Sequence, residues 1–255
     1  MLTHRRWESL DRADLDWLRA KHHFVVSADG NPAHAALGPL IVWNDDEIAV
    51  GGGFPMHGHR DMEIITYVRQ GLLGHRDTLG SEGAIHAGDI QVMSAGTGIR
   101  HAEFNRGEVP LKLYQIWLLP REAGARPAWD TKPFPKIDRS GCFVVLASGF
   151  ASDEGALSIR ADARVLGAML KAGESVRLAA CRRCDVPVGR RAHADTQRTG
   201  IIQDELAVRE DPHEKCRIID AAGQHAERVE AWRKRLDAGR WQRTEGRLVA
   251  DDAAK

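Results

Sequence analysis

The stretch GGGFPMHGHRDMEIITYV, residues 51–68, places His57 and His59 between a glycine-rich turn and an apolar run. The run is rich in Ile, Val and Tyr, as β-strands are, and Gly and Pro precede it. On an extended strand, side chains two positions apart lie on the same face. The spacing therefore predicts that both imidazoles point the same way from one strand.

A second pair with the same spacing occurs in QVMSAGTGIRHAE, residues 91–103, where His101 and Glu103 follow another glycine-rich turn. Inside a barrel, the two strands would bring together three imidazoles and one carboxylate. This set suits Fe(II), Ni(II), Mn(II), Cu(II) or Zn(II), and it leaves one or two positions for a substrate hydroxyl, water or dioxygen. One such pair among 12 histidines is also compatible with plain packing, whereas two pairs beside glycine-rich turns favour a metal site.

The sequence around these pairs repeats short apolar runs separated by Gly, Pro, Asp or Asn, a pattern typical of all-β sandwiches and barrels. A proline-rich stretch at residues 126–135 interrupts the pattern, because Pro fixes φ and lacks an N–H. The predicted fold is all-β, with two antiparallel barrels in tandem. We assign the N-terminal barrel to residues 1–125, a linker to 126–138 and the start of the second barrel to 139–180.

The pattern changes after residue 180, where sustained alternation ends. Apolar residues three or four apart from Ala226 to Leu236 predict a short amphipathic helix. Residues 181–255 are expected to be partly helical or disordered, so that the second barrel is incomplete or altered. A frameshift is our hypothesis for this change. A functional alternative for this segment is a zinc site that combines the Cys181-x-x-Cys184 pair with His213 or Cys216.

Composition limits the possible partners and the compartment. The 36 Lys and Arg residues balance 36 Asp and Glu residues, so global charge indicates neither nucleic acid nor an anionic membrane. The N-terminal residues lack an apolar signal-peptide core, and four cysteines are too few for a disulfide scaffold. We expect a cytoplasmic protein with a small-molecule ligand; a monomer is favoured, but the oligomeric state is left open.

The motif spacing resembles that of a known family. Residues 51–63 and 88–105 resemble the two cupin motifs, and residues 42–46, 61–68 and 91–103 look like a bacterial pirin. Pirins are bicupins that hold a metal only in the N-terminal barrel. The resemblance runs from about residue 15 to residue 178 and implies quercetin 2,3-dioxygenase activity, which several bacterial pirins show. Eukaryotic pirin, similar in fold, is a nuclear transcriptional cofactor.

The resemblance also implies a site. The family's four metal ligands fall on His57, His59, His101 and Glu103, with Fe(II) expected first and Ni, Mn, Cu, Zn or Co as alternatives. Glu63 shares parity with the first two histidines, and we expect it to act as a catalytic base or, equally, to make a structural hydrogen bond.

Other residues near the pairs are interpreted separately. His75 and His86 lie outside both pairs and are interpreted as structural or surface residues. Apolar side chains near the pairs are candidates for lining a pocket for a flat aromatic substrate, although such positions are more often plain core. These candidates are Phe54, Met56, Met93, Phe104 and Trp117.

Two functions follow from these expectations. The first is a metal-dependent dioxygenase that takes a flavonol-like aromatic substrate and dioxygen. The second is a non-enzymatic, metal- or redox-responsive module that regulates a partner protein. Flavonol turnover by the metal-loaded protein discriminates between them.

Overall fold

A computed structural model of the chain describes residues 7–26, 30–134 and 141–170, together with the backbone of three short strands further on. The expected C-terminal helix and the Cys181–Cys184 pair lie outside the described residues. Within them, regular structure consists of strands and two 3₁₀ turns, so the all-β prediction is confirmed. No helix among the described residues is long and apolar enough to cross a membrane.

The strands are numbered in chain order. They are β1 (Asp11–Asp14), β2 (Leu18–His22), β3 (Leu40–Ile48), β4 (Gly53–His59), β5 (Glu63–Gln70), β6 (Leu72–Asp77), β7 (Glu82–His86), β8 (Ile90–Ser94), β9 (Ile99–Asn105), β10 (Leu111–Leu118), β11 (Ala128–Lys132), β12 (Val144–Ser148), β13 (Leu157–Ser158), β14 (Arg164–Met169), β15 (Asp204–Arg209), β16 (Trp241–Thr244) and β17 (Arg247–Ala250).

Two sheets form the N-terminal unit. The large sheet has seven strands in the order β1-β2-β3-β10-β5-β8-β11, and the small sheet has four in the order β4-β9-β6-β7. Side chains of both sheets pack together: Ile48 and Val68 of the large sheet share one buried cluster with Phe54 and Leu73 of the small one. The inner faces of the two sheets therefore enclose the core in which a site can lie.

The large sheet is buried on its other face too. Along β5, Ile64 packs into the core between the two sheets, whereas Ile65 and Tyr67 pack with Leu146 and Val165 of the second unit. This second unit contains a four-stranded sheet in the order β13-β12-β14-β15. Strand β5 is apolar on both faces because a packed layer covers each of them.

The stretch expected to be a linker contains a strand. β11 lies between Pro127 and Pro133 and pairs antiparallel with β8, with Trp129 opposite Met93. It is the last strand in the order of the large sheet and uses only one hydrogen-bonding edge. The prolines delimit this strand rather than prevent it, because an edge position tolerates a residue without an N–H.

Candidate metal centre

Three histidines converge on the inner face of the small sheet. His57 on β4 pairs directly with His101 on β9, and His59 follows two residues later on the face of His57. The ring centroid of His57 lies 4.8 Å from that of His59 and 4.4 Å from that of His101. The centroids of His59 and His101 are 5.1 Å apart. All three side chains are buried. One nitrogen from each ring lies within 4.8 Å of the others.

The backbone of β4 orients the first of these rings. The register between β4 and β9 shifts between Phe54 and His57, an irregularity that includes Pro55. The Nδ1 atom of His57 lies 2.7 Å from the carbonyl oxygen of Pro55. Because a carbonyl only accepts, Nδ1 donates and the lone pair of this imidazole is on Nε2. A neutral imidazole with one nitrogen fixed in this way is the form that binds a metal.

Glu103 lies two residues after His101 on β9 and is almost fully buried. Its Oε1 accepts from Gln91 Nε2 at 2.7 Å and from the Thr66 hydroxyl at 3.3 Å. Its Oε2 accepts from Gln115 Nε2 at 3.2 Å. All three donors belong to the large sheet, so the carboxylate bridges the two sheets in one defined orientation.

Two tryptophans orient the glutamine amides. Trp117 Nε1 donates to Gln115 Oε1 at 3.1 Å, and Trp129 Nε1 donates to Gln91 Oε1 at 2.9 Å. An indole nitrogen can only donate, so each amide must turn its oxygen to the indole and its NH₂ group to Glu103. The network therefore holds both oxygens of the carboxylate with two donors of known direction.

His75 lies close to the same centre. It is buried on β6, and one of its ring nitrogens lies within 4.8 Å of donor atoms of His101 and Glu103. From the sequence, His75 is interpreted as a structural or surface residue, although its spacing to Asp77 is the same as in the two pairs that predict the metal site. His86, by contrast, is exposed, as its interpretation as a surface residue predicts.

Glu63 lies on the other face of the large sheet. Its Oε2 accepts from the Ser94 hydroxyl at 2.7 Å and from the backbone N–H of Arg160, in the second unit, at 3.0 Å. The chain turns between β4 and β5, where Asp61 has a φ of 48°. The alternation of side chains between the two faces of a strand is interrupted there, so Glu63 does not lie on the same face as His59. The expectation that Glu63 shares the interior with the histidines is therefore wrong.

The candidate pocket residues also differ in where they lie. Phe54, Met93 and Trp117 are buried between the two sheets, and the Trp117 ring lies 5.0 Å from that of His59. Met56 is 37% exposed and points away from this core. Trp117 and Phe54 thus both lie beside histidines of the centre, since the Phe54 ring is 6.3 Å from that of His57.

Three buried imidazoles between two antiparallel sheets, with the Glu103 carboxylate close to one of them, His101, form a candidate metal site of the cupin type. The donor set fits a divalent transition metal, because imidazole binds such ions well and a single carboxylate leaves residual positive charge. The family model described as Pirin matches residues 4–118. Together with the relatives below, this match shows that the chain belongs to the pirin family.

Three similar proteins illustrate the relationship. A candidate quercetin 2,3-dioxygenase of Pseudomonas aeruginosa is 47% identical over 86% of this chain and 96% of that protein. The quercetin 2,3-dioxygenase of Escherichia coli K12 is 37% identical over 72% of this chain and 78% of its own length. The crystal structure of a bacterial pirin from Escherichia coli in complex with nickel(II) has 35% identity and a TM-score of 0.62, covering 69% of this chain and 76% of that one.

The Pseudomonas relative also bears on the C-terminal part. A match that covers 86% of 255 residues extends beyond residue 180. The likeness to this protein therefore includes part of the segment in which the strand pattern of the sequence ends.

Proposed function

We propose that this chain binds one divalent transition-metal ion through His57, His59, His101 and Glu103, and that it oxidises a flavonol or a related aromatic compound with dioxygen. The observation that carries the proposal is the convergence of three buried imidazoles, with ring centroids 4.4–5.1 Å apart, beside a carboxylate on the same strand as one of them. A divalent cation is a ligand that imidazole nitrogens and a carboxylate can bind together.

Fe(II) is the ion that we expect first, and nickel is the alternative with direct support in the family. The Escherichia coli pirin was crystallised with nickel(II). Imidazole and carboxylate donors accept Fe, Ni, Mn, Cu, Zn and Co, so the donors alone do not select one ion. Elemental analysis of the purified protein identifies the native metal.

Each residue of the centre has a distinct task in this proposal. The three imidazoles hold the ion from the small sheet, and the backbone carbonyl of Pro55 keeps His57 in the tautomer required for binding. Gln91 and Gln115 keep the Glu103 carboxylate in place from the large sheet. When bound, the metal supplies a Lewis acid that lowers the pKa of a coordinated hydroxyl and offers positions for dioxygen.

The substrate class rests on the relatives and on the walls of the centre. The Escherichia coli K12 relative carries the name quercetin 2,3-dioxygenase, and the Pseudomonas relative carries it as a candidate. In this chain, apolar side chains pack around the Trp117 side of the histidines, among them Met62, Ile64 and Met93. An apolar wall beside a metal suits a flat aromatic ligand with one polar edge.

The test is dioxygen consumption in an oxygen electrode with quercetin and metal-loaded protein. Wild-type protein is expected to consume dioxygen in step with the loss of quercetin, and His57→Ala is expected to lose at least about 100-fold of that rate, because a ligand is removed. The matched control is His86→Ala, which removes an exposed histidine and should leave the rate unchanged.

Three outcomes would contradict the proposal in different ways. Equal rates for wild-type protein and His57→Ala would refute the site. Tight metal binding without any flavonol turnover would refute the enzymatic function and favour a regulatory binding module instead. Absence of metal binding by wild-type protein would refute both.

A further inference from the structure

β6 flanks the centre on the side opposite β4. In the small sheet, β9 lies between these two strands, and its pairing with β6 places His75 opposite Glu103 and Asp77 opposite His101. On the other side of β9, His57 is the partner of His101. His57, His101 and Asp77 therefore form a row across three neighbouring strands. The two histidines are ligands of the proposed centre, and Asp77 adds a carboxylate beside them.

His75 and Asp77 form a buried pair. His75 Nε2 lies 3.1 Å from Asp77 Oδ2, and both side chains are fully shielded from solvent. The other oxygen, Oδ1, accepts from the backbone N–H groups of Leu79 and Ser81 at 2.8 and 3.0 Å. The turn after β6 therefore fixes the carboxylate, which in turn makes Nε2 the donor and leaves the lone pair of His75 on Nδ1. Among the described residues, this buried Nδ1 has no hydrogen-bond partner.

A tryptophan holds the ring of His75 from one face. Trp129 stacks on it with a centroid distance of 4.8 Å and an interplanar angle of 9°. The strand opposite has glycine at the paired position, Gly83, and a Cβ atom there would lie 2.5 Å from the Trp129 ring. The same indole donates to Gln91, which donates to Glu103. His75 is thus connected to the carboxylate by direct proximity and through Trp129.

We propose that the His75–Asp77 pair is a positioning unit of the metal centre, which sets the orientation of Glu103 and His101 and hence the affinity and selectivity for the ion. The inference rests on the proposed metal site. A buried Nδ1 lone pair close to two metal-binding groups is stabilised by a cation beside it, and the same ring restricts the rotamers open to Glu103. Residues that orient ligands without binding the metal often control its affinity.

Two substitutions separate this role from mere packing. His75→Phe keeps a flat ring for the Trp129 stack but removes both nitrogens. Asp77→Asn keeps an oxygen for the turn but replaces the acceptor of His75 Nε2–H by an NH₂ group, which favours the other tautomer and turns an N–H towards the centre. The matched control is His86→Phe on the neighbouring strand, where the histidine is exposed.

The measurements are Ni(II) affinity by calorimetry on the full chain and the visible absorption spectrum of the Co(II)-loaded protein. Both variants are expected to bind Ni(II) about 10–100-fold more weakly than wild-type protein and to shift the Co(II) bands, whereas His86→Phe matches wild-type protein in both. His75→Gln retains a donor to Asp77 and is expected to recover part of the loss. Circular dichroism of each variant shows whether its fold is intact.

The failures are distinguishable. If wild-type protein binds Ni(II) and both variants bind it with equal affinity and an unchanged Co(II) spectrum, the positioning role is overturned and the metal site is not. If wild-type protein does not bind Ni(II), the proposed metal centre fails, and the positioning role with it. If His75→Phe unfolds, Asp77→Asn decides the question, since its shape is that of the native residue.

Discussion

A single carboxylate oxygen of Glu63 connects the two β units. It accepts from Ser94 on β8 and from the backbone of Arg160 in the second unit. Burial raises the pKa of Glu63, and these two hydrogen bonds together with the nearby Arg160 and Arg121 charges oppose the rise without cancelling it. Burial therefore destabilises the charged form of this side chain by more than its hydrogen bonds and the nearby positive charges stabilise it.

The sign of the resulting pH dependence follows from linkage. The folded state binds the Glu63 proton more tightly than the unfolded state does, so this residue stabilises the fold increasingly as the pH falls from neutral through its raised pKa towards the ordinary glutamate range. Glu63→Gln removes that contribution and keeps the side-chain oxygen as an acceptor. We expect the free energy of unfolding of wild-type protein, relative to Glu63→Gln, to be higher at pH 5 than at pH 7.

Urea denaturation of both proteins at the two pH values measures this difference. The relative value matters because other carboxylates titrate equally in both proteins. If the difference in free energy of unfolding between wild-type protein and Glu63→Gln is the same at pH 7 and pH 5, the pKa of Glu63 is not raised.

The metal-centre histidines and Glu63 show what local spacing can predict. His57 and His59 lie on the regular end of β4, after its irregularity, and His101 and Glu103 lie on β9, so an alternation rule suffices to place each pair on one face. Glu63 follows a turn, and a turn changes parity by an amount that depends on backbone angles rather than on residue types. His75 has the same spacing to Asp77 but becomes relevant only through the pairing of β6 with β9, which no local pattern encodes.

At the scale of elements, the turn between β8 and β9 leads into the strand that holds His101 and Glu103. Gly96 in this turn has a φ of 46°, and a Cβ atom there would lie 1.9 Å from the carbonyl oxygen of Ala125. The neighbouring Thr97 donates its N–H to that same carbonyl at 2.8 Å. The turn thus packs against the segment that precedes β11 with no space for a side chain.

We expect Gly96→Ala to destabilise the protein more than Gly80→Ala does. Gly80 also has a positive φ, 87°, but a Cβ there would meet nothing within 4 Å. The backbone strain alone should cost about 1–2 kcal/mol at either position. The steric overlap at Gly96 should add about 1–3 kcal/mol. Thermal or urea unfolding of both variants measures the difference, and equal losses would show that the contact with Ala125 relaxes easily.

β11 and β5 show why sheet order was harder to predict than strand identity. The run that forms β5 was recognisable as a strand because Ile, Thr, Tyr and Val dominate it. β11 has no such run, and the prolines on either side favoured a linker. What makes it a strand is the open edge of β8, with which residues 128–132 pair. That edge is a property of the folded sheet and is not visible in the segment itself.

At the scale of the whole molecule, the outer face of the large sheet and the second unit share one buried cluster. Leu146 of β12 is fully buried there, in contact with a layer to which Ile65, Tyr67 and Val165 also belong. Arg121 adds polar links across the same boundary, to Asp162 at 2.7 Å and to a backbone carbonyl at 2.9 Å. A shared core of this kind couples the unfolding of the two units.

Leu146→Ala is expected to lower the free energy of unfolding by about 2–5 kcal/mol, because it leaves a cavity at this boundary. We also expect one transition, seen alike by far-ultraviolet circular dichroism and by loss of metal binding. The exposed Leu79 provides a control, since Leu79→Ala should change stability by less than about 0.5 kcal/mol. Loss of metal binding in Leu146→Ala at a much higher urea concentration than loss of the circular dichroism signal would show that the units unfold independently.

The two indoles that orient the glutamines also lie against the histidines: Trp117 lies 5.0 Å from His59, and Trp129 is stacked on His75. Two of the seven tryptophans of the chain are therefore adjacent to the place where an open-shell ion would be held. We expect such an ion to quench the emission of these two indoles when it binds. Tryptophan fluorescence would then report occupancy of the site without any added dye, even in a mixture where the catalytic assay is silent.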